Sequence, residues 1–212
     1  KETEIEKENG GKGEGEKRET QINNGQMGLF DAESPVDESV VNGQLPDVHP
    51  AEGGRILQNI STVPHQYFLT NTEEKINALI ELLSQQKSFC FDTETTGLDT
   101  QKAELVGISF SITPQEAYFV PVPESQEETK LIVQKFKNIF ENETIEKTGQ
   151  NIKYDISILK KYDVEVKGKF FDTMLAHYLI QPDMRHGMDL LSETYLNYKP
   201  VSIISLIGPN GK

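Results

Sequence analysis

One cysteine, Cys90, stands among 212 residues, so no intrachain disulfide can form, which fits a reducing compartment. No run of about 18 apolar residues occurs, so no helix spans a membrane. The amino terminus is charged rather than apolar and offers no signal peptide. Internal repeats are absent. His65, His177 and His186 are scattered, and with one cysteine they make no zinc pattern. Basic charge is also scarce. The formal net charge is −13, and an acidic chain repels phosphate at long range, which counts against tight nonspecific binding to duplex DNA. Residues 1–60 hold 13 acids and 6 bases, against 21 and 15 in residues 61–212.

Residues 1–60 read as a flexible acidic linker. The first twenty positions are almost all Glu, Lys, Gly and Asn, with too few apolar groups to offset the entropy of ordering them. Gly10, Gly11, Gly13 and Gly15 have no strand before them and no helix pattern after, the context a phosphate-cradling loop needs, so a tether is the simpler reading. Met27-Gly28-Leu29-Phe30 is a short apolar stretch within it, either a weak docking segment or a chance cluster. The chain opens on Lys1 rather than Met, which suggests a piece of something longer.

The pattern beyond residue 60 predicts an α/β domain with a mixed sheet and helices on its faces. Strands are expected over residues 66–70, 88–94, 105–112, 117–122 and 144–148, the middle three joined by short turns that suggest antiparallel pairing. Asn71 or Thr72 can cap a first helix with Ile76, Leu79, Ile80 and Leu83 on its apolar side. Residues 125–142 predict one amphipathic helix with Leu131, Ile132, Phe136, Ile139 and Phe140 inward. Further helices are expected over 151–161, 173–180 and 188–197. Cys90, on a strand expected to be buried, reads as inert core.

The chemistry concentrates in Phe89-Cys90-Phe91-Asp92-Thr93-Glu94-Thr95-Thr96-Gly97-Leu98. An apolar strand runs into two acids spaced two apart, so Asp92 and Glu94 share one face at its end. Like charges that close raise each other's pKa unless a cation sits between them, and hard divalent cations take such oxygen ligands. A bare Asp-x-Glu more often faces solvent. Here the acids end a hydrophobic strand, Gly97 permits a tight turn beyond them, and a second acid lies in Gly149-Gln150-Asn151-Ile152-Lys153-Tyr154-Asp155. Asn151 is a suitable helix cap, Asp155 falls one turn in, and Ile152, Ile156 and Leu159 form the expected buried stripe. Asp155 borders that stripe, where an acid is costly unless paired, and Lys153 points elsewhere.

These two stretches resemble the first two motifs of the 3′–5′ proofreading exonuclease domain of bacterial family A DNA polymerases. Phe171-Asp172-Thr173-Met174-Leu175-Ala176-His177-Tyr178-Leu179, followed by Arg185-His186-Gly187-Met188-Asp189-Leu190, agrees with a third. The resemblance covers about residues 66–208. It implies an RNase H-like, DnaQ-like exonuclease fold and two divalent cations, Mg²⁺ or Mn²⁺, held by four carboxylates. Asp92, Glu94 and Asp155 would be three of them: Asp92 bridging both ions, Glu94 on the ion that activates water, and Asp155 on the second through water. The substrate would be a single-stranded or frayed DNA 3′ terminus, released as nucleoside monophosphates in a bacterial cytoplasm. An N-terminal 5′ nuclease domain and a C-terminal polymerase domain would flank the domain in the parent chain.

The resemblance also assigns DNA-binding positions. Thr95 belongs to the first motif. Leu98 matches a residue that wedges between terminal bases, or packs the turn. Asn151 and Tyr154 line the strand groove, or serve as cap and core. Arg185 contacts a phosphate, or pairs with Asp183 or Asp189. Ile203 stands where relatives can carry a base-stacking phenylalanine, and Asp172 reads as a helix cap rather than a metal ligand. The fourth carboxylate, four residues after a tyrosine in the family, has no counterpart before Lys212, since Tyr195 and Tyr198 are followed at that spacing by Lys199 and Ser202. Little activity is therefore expected of this chain alone. Two other readings remain: a vestigial exonuclease-like spacer in a polymerase, and a standalone RNase D-like exonuclease.

Overall fold

The structure, a computed structural model, describes residues 56–202 and residue 205. The expected linker up to residue 55, with the apolar stretch at 27–30, and the base-stacking position Ile203 lie outside the described residues.

Among the described residues, six strands form one mixed sheet in the order β1-β4-β3-β2-β5-β6. They are β1 (Gln66–Leu69), β2 (Ser88–Thr95), β3 (Leu105–Ser111), β4 (Glu116–Pro121), β5 (Glu146–Gly149) and β6 (Phe170–Asp172). β2, β3 and β4 pair antiparallel, as expected, through the loop over residues 96–104 and a short turn over 112–115. Longer, helix-bearing connections let β1, β5 and β6 join in parallel. The three-residue β6 went unforeseen. It exists by pairing with β5, Lys147 opposite Phe170 and Gly149 opposite Asp172.

The helices are α1 (Glu73–Ser84), α2 (Gln126–Lys135), α3 (Lys137–Phe140), α4 (Lys153–Lys160), α5 (Thr173–Ile180) and α6 (Met188–Leu191), with one π-helical turn over Ser192–Leu196. Thr72 caps α1 by accepting from Lys75 N–H, and Glu73 and Glu74 sit in the positive first turn. The single helix expected over residues 125–142 is two helices broken at Phe136, whose ψ is near zero. The break sends Phe136 into the core, stacked on Phe110 at 5.2 Å between centroids, with Phe140 edge-on to Phe91 at 5.0 Å. Val133 takes the buried position, and Leu131, expected inward, is 66% exposed.

Along β2, Phe89, Phe91 and Thr93 face the core, while Cys90 and Glu94 are exposed and Asp92 is half-buried. Cys90 is therefore not a core residue, because strand alternation puts it opposite its phenylalanine neighbours. Its thiol is still partly desolvated, and this, with negative charge on Asp92 and Asp155, pushes its pKa up. Lys147 is fully buried in β5, and its ammonium donates to the carbonyls of Asn142 and Lys167. Burial brings it down to about 8.

Residues 56–60, read as the end of the linker, are tied to the far end of the domain. Gln58 N–H donates to Asn197 O at 2.9 Å, and Lys199 N–H donates to Gln58 O at 2.8 Å.

Candidate active site

β5 stops at Gly149, level with Phe91 of β2, so the β2 backbone beyond Phe91 loses its parallel neighbour. Helix α4 begins in that space. Asp155, in its first turn, fills the missing ladder position. Its Oδ1 accepts from Thr93 N–H at 2.8 Å and from the Thr93 hydroxyl at 2.6 Å. Asp155 is fully buried, and its Oδ2 has no hydrogen-bond partner. Burial first, and then the charge of Asp92, raise its pKa to about 7 against the pull of the two Thr93 bonds. The question of what pairs with Asp155 thus has half an answer. Thr93, unremarked in the sequence, holds one oxygen, and the signal for it was its place between the two strand-end acids on the opposite face.

Asp92, half-buried, is close enough to Asp155 to oppose its ionisation. Glu94 is exposed at a bulge where the β2–β3 register shifts between Glu94 and Thr95. Among the described residues, no group of three or more His, Cys, Asp or Glu is placed to hold a metal ion. The donors nevertheless suit a hard divalent cation in part. They are carboxylate oxygens, and one buried oxygen lacks any partner beside a second acid. Asp92 and Asp155 fit such an ion. Glu94, two residues along the same strand face from Asp92, is exposed.

The remaining candidates divide. The Tyr154 hydroxyl donates to Gly97 O at 2.5 Å and lies 2.6 Å from the Thr95 hydroxyl, which also donates to Gly97 O at 2.9 Å. Both hydroxyls thus fasten the turn after β2 to α4. Leu98, beyond that turn, is 40% exposed. Asn151 does not cap α4. It stands at φ 56°, its side-chain Oδ1 is buried without a partner, and the residue at the cap position is Ile152, which offers no side-chain hydrogen bond. Ile158, beside Leu159, is more deeply buried than the expected Ile156. Arg185 is exposed and, among the described residues, pairs with neither Asp183 nor Asp189. Asp172 caps α5, as expected, through Met174 N–H and Leu175 N–H. His177 and His186, read as scattered, meet with their Nδ1 atoms 2.6 Å apart, His177 against Tyr195. Burial, and then His186, lower the His177 pKa. His65 stays away, against Tyr67.

A family model for 3′–5′ exonucleases matches residues 67–205. The chain is 36% identical over 157 residues to DNA polymerase I of Borreliella burgdorferi, covering 73% of this chain and 17% of that protein. It is 32% identical over 145 residues to DNA polymerase I of Pseudomonas aeruginosa, covering 64% and 16%. The chain thus spans about a sixth of these relatives. Among solved structures, the catalytic core of RRP6 from Trypanosoma brucei superimposes with a TM-score of 0.54 at 16% identity, covering 71% of this chain and 39% of that one. Brucella melitensis NrnC with bound Mg²⁺ gives 0.52 at 17% identity, covering 66% and 65%. At such identities the structural likeness speaks for the fold: a mixed six-stranded sheet of the DnaQ-like, RNase D-like exonuclease type.

Proposed function

From the premise that this chain belongs to the 3′–5′ exonuclease family, in the form related to the exonuclease region of DNA polymerase I, we propose that it is a metal-dependent proofreading domain. In this reading it acts in the bacterial cytoplasm, within a longer polymerase that also holds a 5′ nuclease domain, and trims single-stranded or frayed DNA 3′ ends to nucleoside monophosphates. The observation that carries the reading is Asp155: a buried carboxylate with one oxygen held by Thr93 and the other without a partner, beside Asp92. Divalent ions, Mg²⁺ or Mn²⁺, bound there would supply an acidified water and charge stabilisation of the departing 3′ oxygen.

Asp92, Asp155 and Glu94 would hold those ions. Thr93 keeps Asp155 oriented by occupying Oδ1, so that Oδ2 alone is available as a ligand. Thr95 and Tyr154 shape the turn that carries exposed Leu98, whose apolar side chain would lie against a terminal base. Asn151 would line the strand groove. Arg185, exposed and unpaired among the described residues, would meet a phosphate. Because no group of three such acids is gathered among the described residues, we expect slow turnover by this chain alone.

The test is Mn²⁺ binding, followed by electron paramagnetic resonance, together with digestion of a 3′-labelled oligonucleotide. Binding that Asp92→Ala and Asp155→Asn each abolish is expected, with weak digestion lost in both variants. Binding or digestion indifferent to both substitutions would defeat the reading. Strong digestion abolished by both would refute only the expected slow turnover.

A further inference from the structure

Asp172 is not among the acids proposed to hold ions, yet its carboxylate accepts four backbone N–H groups. Two belong to the start of α5: Met174 at 2.9 Å and Leu175 at 3.2 Å, both on Oδ1. The other two belong to the turn that leads into α4: Asn151 on Oδ1 at 3.1 Å and Ile152 on Oδ2 at 3.0 Å. One negative charge therefore serves two helix N-termini, where unsatisfied N–H groups and the helix dipole both favour it.

The second pair is the unusual one. Helix α4 has no capping side chain of its own, because Ile152 holds the cap position. Asn151 must also adopt a left-handed backbone, with φ of 56°, to turn the chain from β5 into α4. Asp172 can reach across because β6 pairs with β5, which brings it level with Gly149, two positions before Asn151. Thr173 adds a hydroxyl bond to Gly149 O at 3.2 Å. The edge of the sheet therefore fixes where α4 starts and which way it points. Asp155 sits three residues after Ile152, and its contacts with Thr93 at 2.8 and 2.6 Å leave little room for a shift of that helix.

We propose that Asp172 is a positioning residue: its carboxylate sets the entry of α4 and so holds Asp155 against Thr93. The link from Asp172 to Asp155 stands on geometry alone, and its meaning for catalysis rests on the exonuclease reading above.

Asp172→Ser separates the two tasks, since a serine at a helix cap accepts from its own helix but is too short to serve the turn before α4 as well. Amide hydrogen exchange on the 212-residue chain reads the result. Thr93 N–H, which Asp155 accepts, should exchange about tenfold faster in Asp172→Ser, while Ile108 N–H in the centre of the sheet holds its rate. Adding Asn151→Gly, which takes up a left-handed backbone freely, should return the Thr93 rate part of the way to wild type. Should the serine variant not fold, Asp172→Asn is measured in its place: its amide keeps an acceptor for the Oδ1 bonds but offers none to Ile152 N–H, so a smaller rise at Thr93, again without one at Ile108, is expected. Thr93 exchange that stays unchanged, or that rises only in step with Ile108, overturns the proposal. Mn²⁺ affinity, measured on the same proteins, should fall with the Thr93 protection. If Thr93 responds as expected but the wild type binds no Mn²⁺, the positioning role holds and the metal-site reading fails.

Discussion

Asp155 and Lys147 are both buried ionisable groups, and each is held by hydrogen bonds without an opposite charge in direct contact. They should therefore tie stability to pH with opposite slopes in different windows. The Asp155 carboxyl ionises at about 7 in the fold against an ordinary value of 3.8, so between those limits the native chain holds a proton that the unfolded chain has released. Its contribution to stability is full below the lower limit and is lost as pH rises to about 7. Asp155→Asn removes that loss. Denaturant titrations at several pH values should show the variant gaining on wild type from pH 4 to pH 7, and a constant difference would contradict the assignment. Lys147 ionises at about 8 rather than 10.5, so there the native chain gives up a proton that the unfolded chain keeps, and stability should rise with pH across that window. Lys147→Met should flatten the rise relative to wild type, as read by melting temperatures between pH 8 and pH 10.5.

At the scale of elements, the turn between β5 and α4 makes its own prediction. Asn151 tolerates its left-handed backbone, glycine does so without cost, and alanine does not. Asn151→Gly should leave stability within about 0.5 kcal/mol of wild type, and Asn151→Ala should lower it by about 1 kcal/mol. Equal losses in chemical denaturation would count against a backbone cause. Most elements were legible in the sequence because their signals are local. The alternation of β2, the cap and first-turn acids of α1, and the boundaries of α5 all sit in short windows. What was hidden depends on partners remote in sequence. β6 is created by β5, the break at Phe136 by the space beside Phe110, and the capping of α4 by a carboxylate twenty residues downstream. The site divides the same way. Asp92, Glu94 and Asp155 stood out as acids in apolar settings, but the hold of Thr93 on Asp155 needed the truncated β5.

Among the described residues, an aromatic-rich core is packed inside the domain and an apolar surface elsewhere is exposed. Helix α5 exposes Leu175, Leu179 at 83% and Ile180 at 70%, and adjoining β6 leaves Phe170 and Phe171 about half exposed. Apolar surface of this kind binds hydrophobic dyes and invites association. Leu179→Lys should lower the fluorescence of a bound naphthalene-sulfonate dye and raise solubility without lowering the melting temperature. A fall in melting temperature would mean that Leu179 packs within the domain.

Gln58 lies parallel to Tyr198, bonded on one side to Asn197 and on the other to Lys199. Segments that run the same way and are pulled from opposite ends slide along each other instead of peeling apart. Tension applied across the domain would load both backbone bonds together, and the seam would act as a mechanical clasp between the entering and leaving chain.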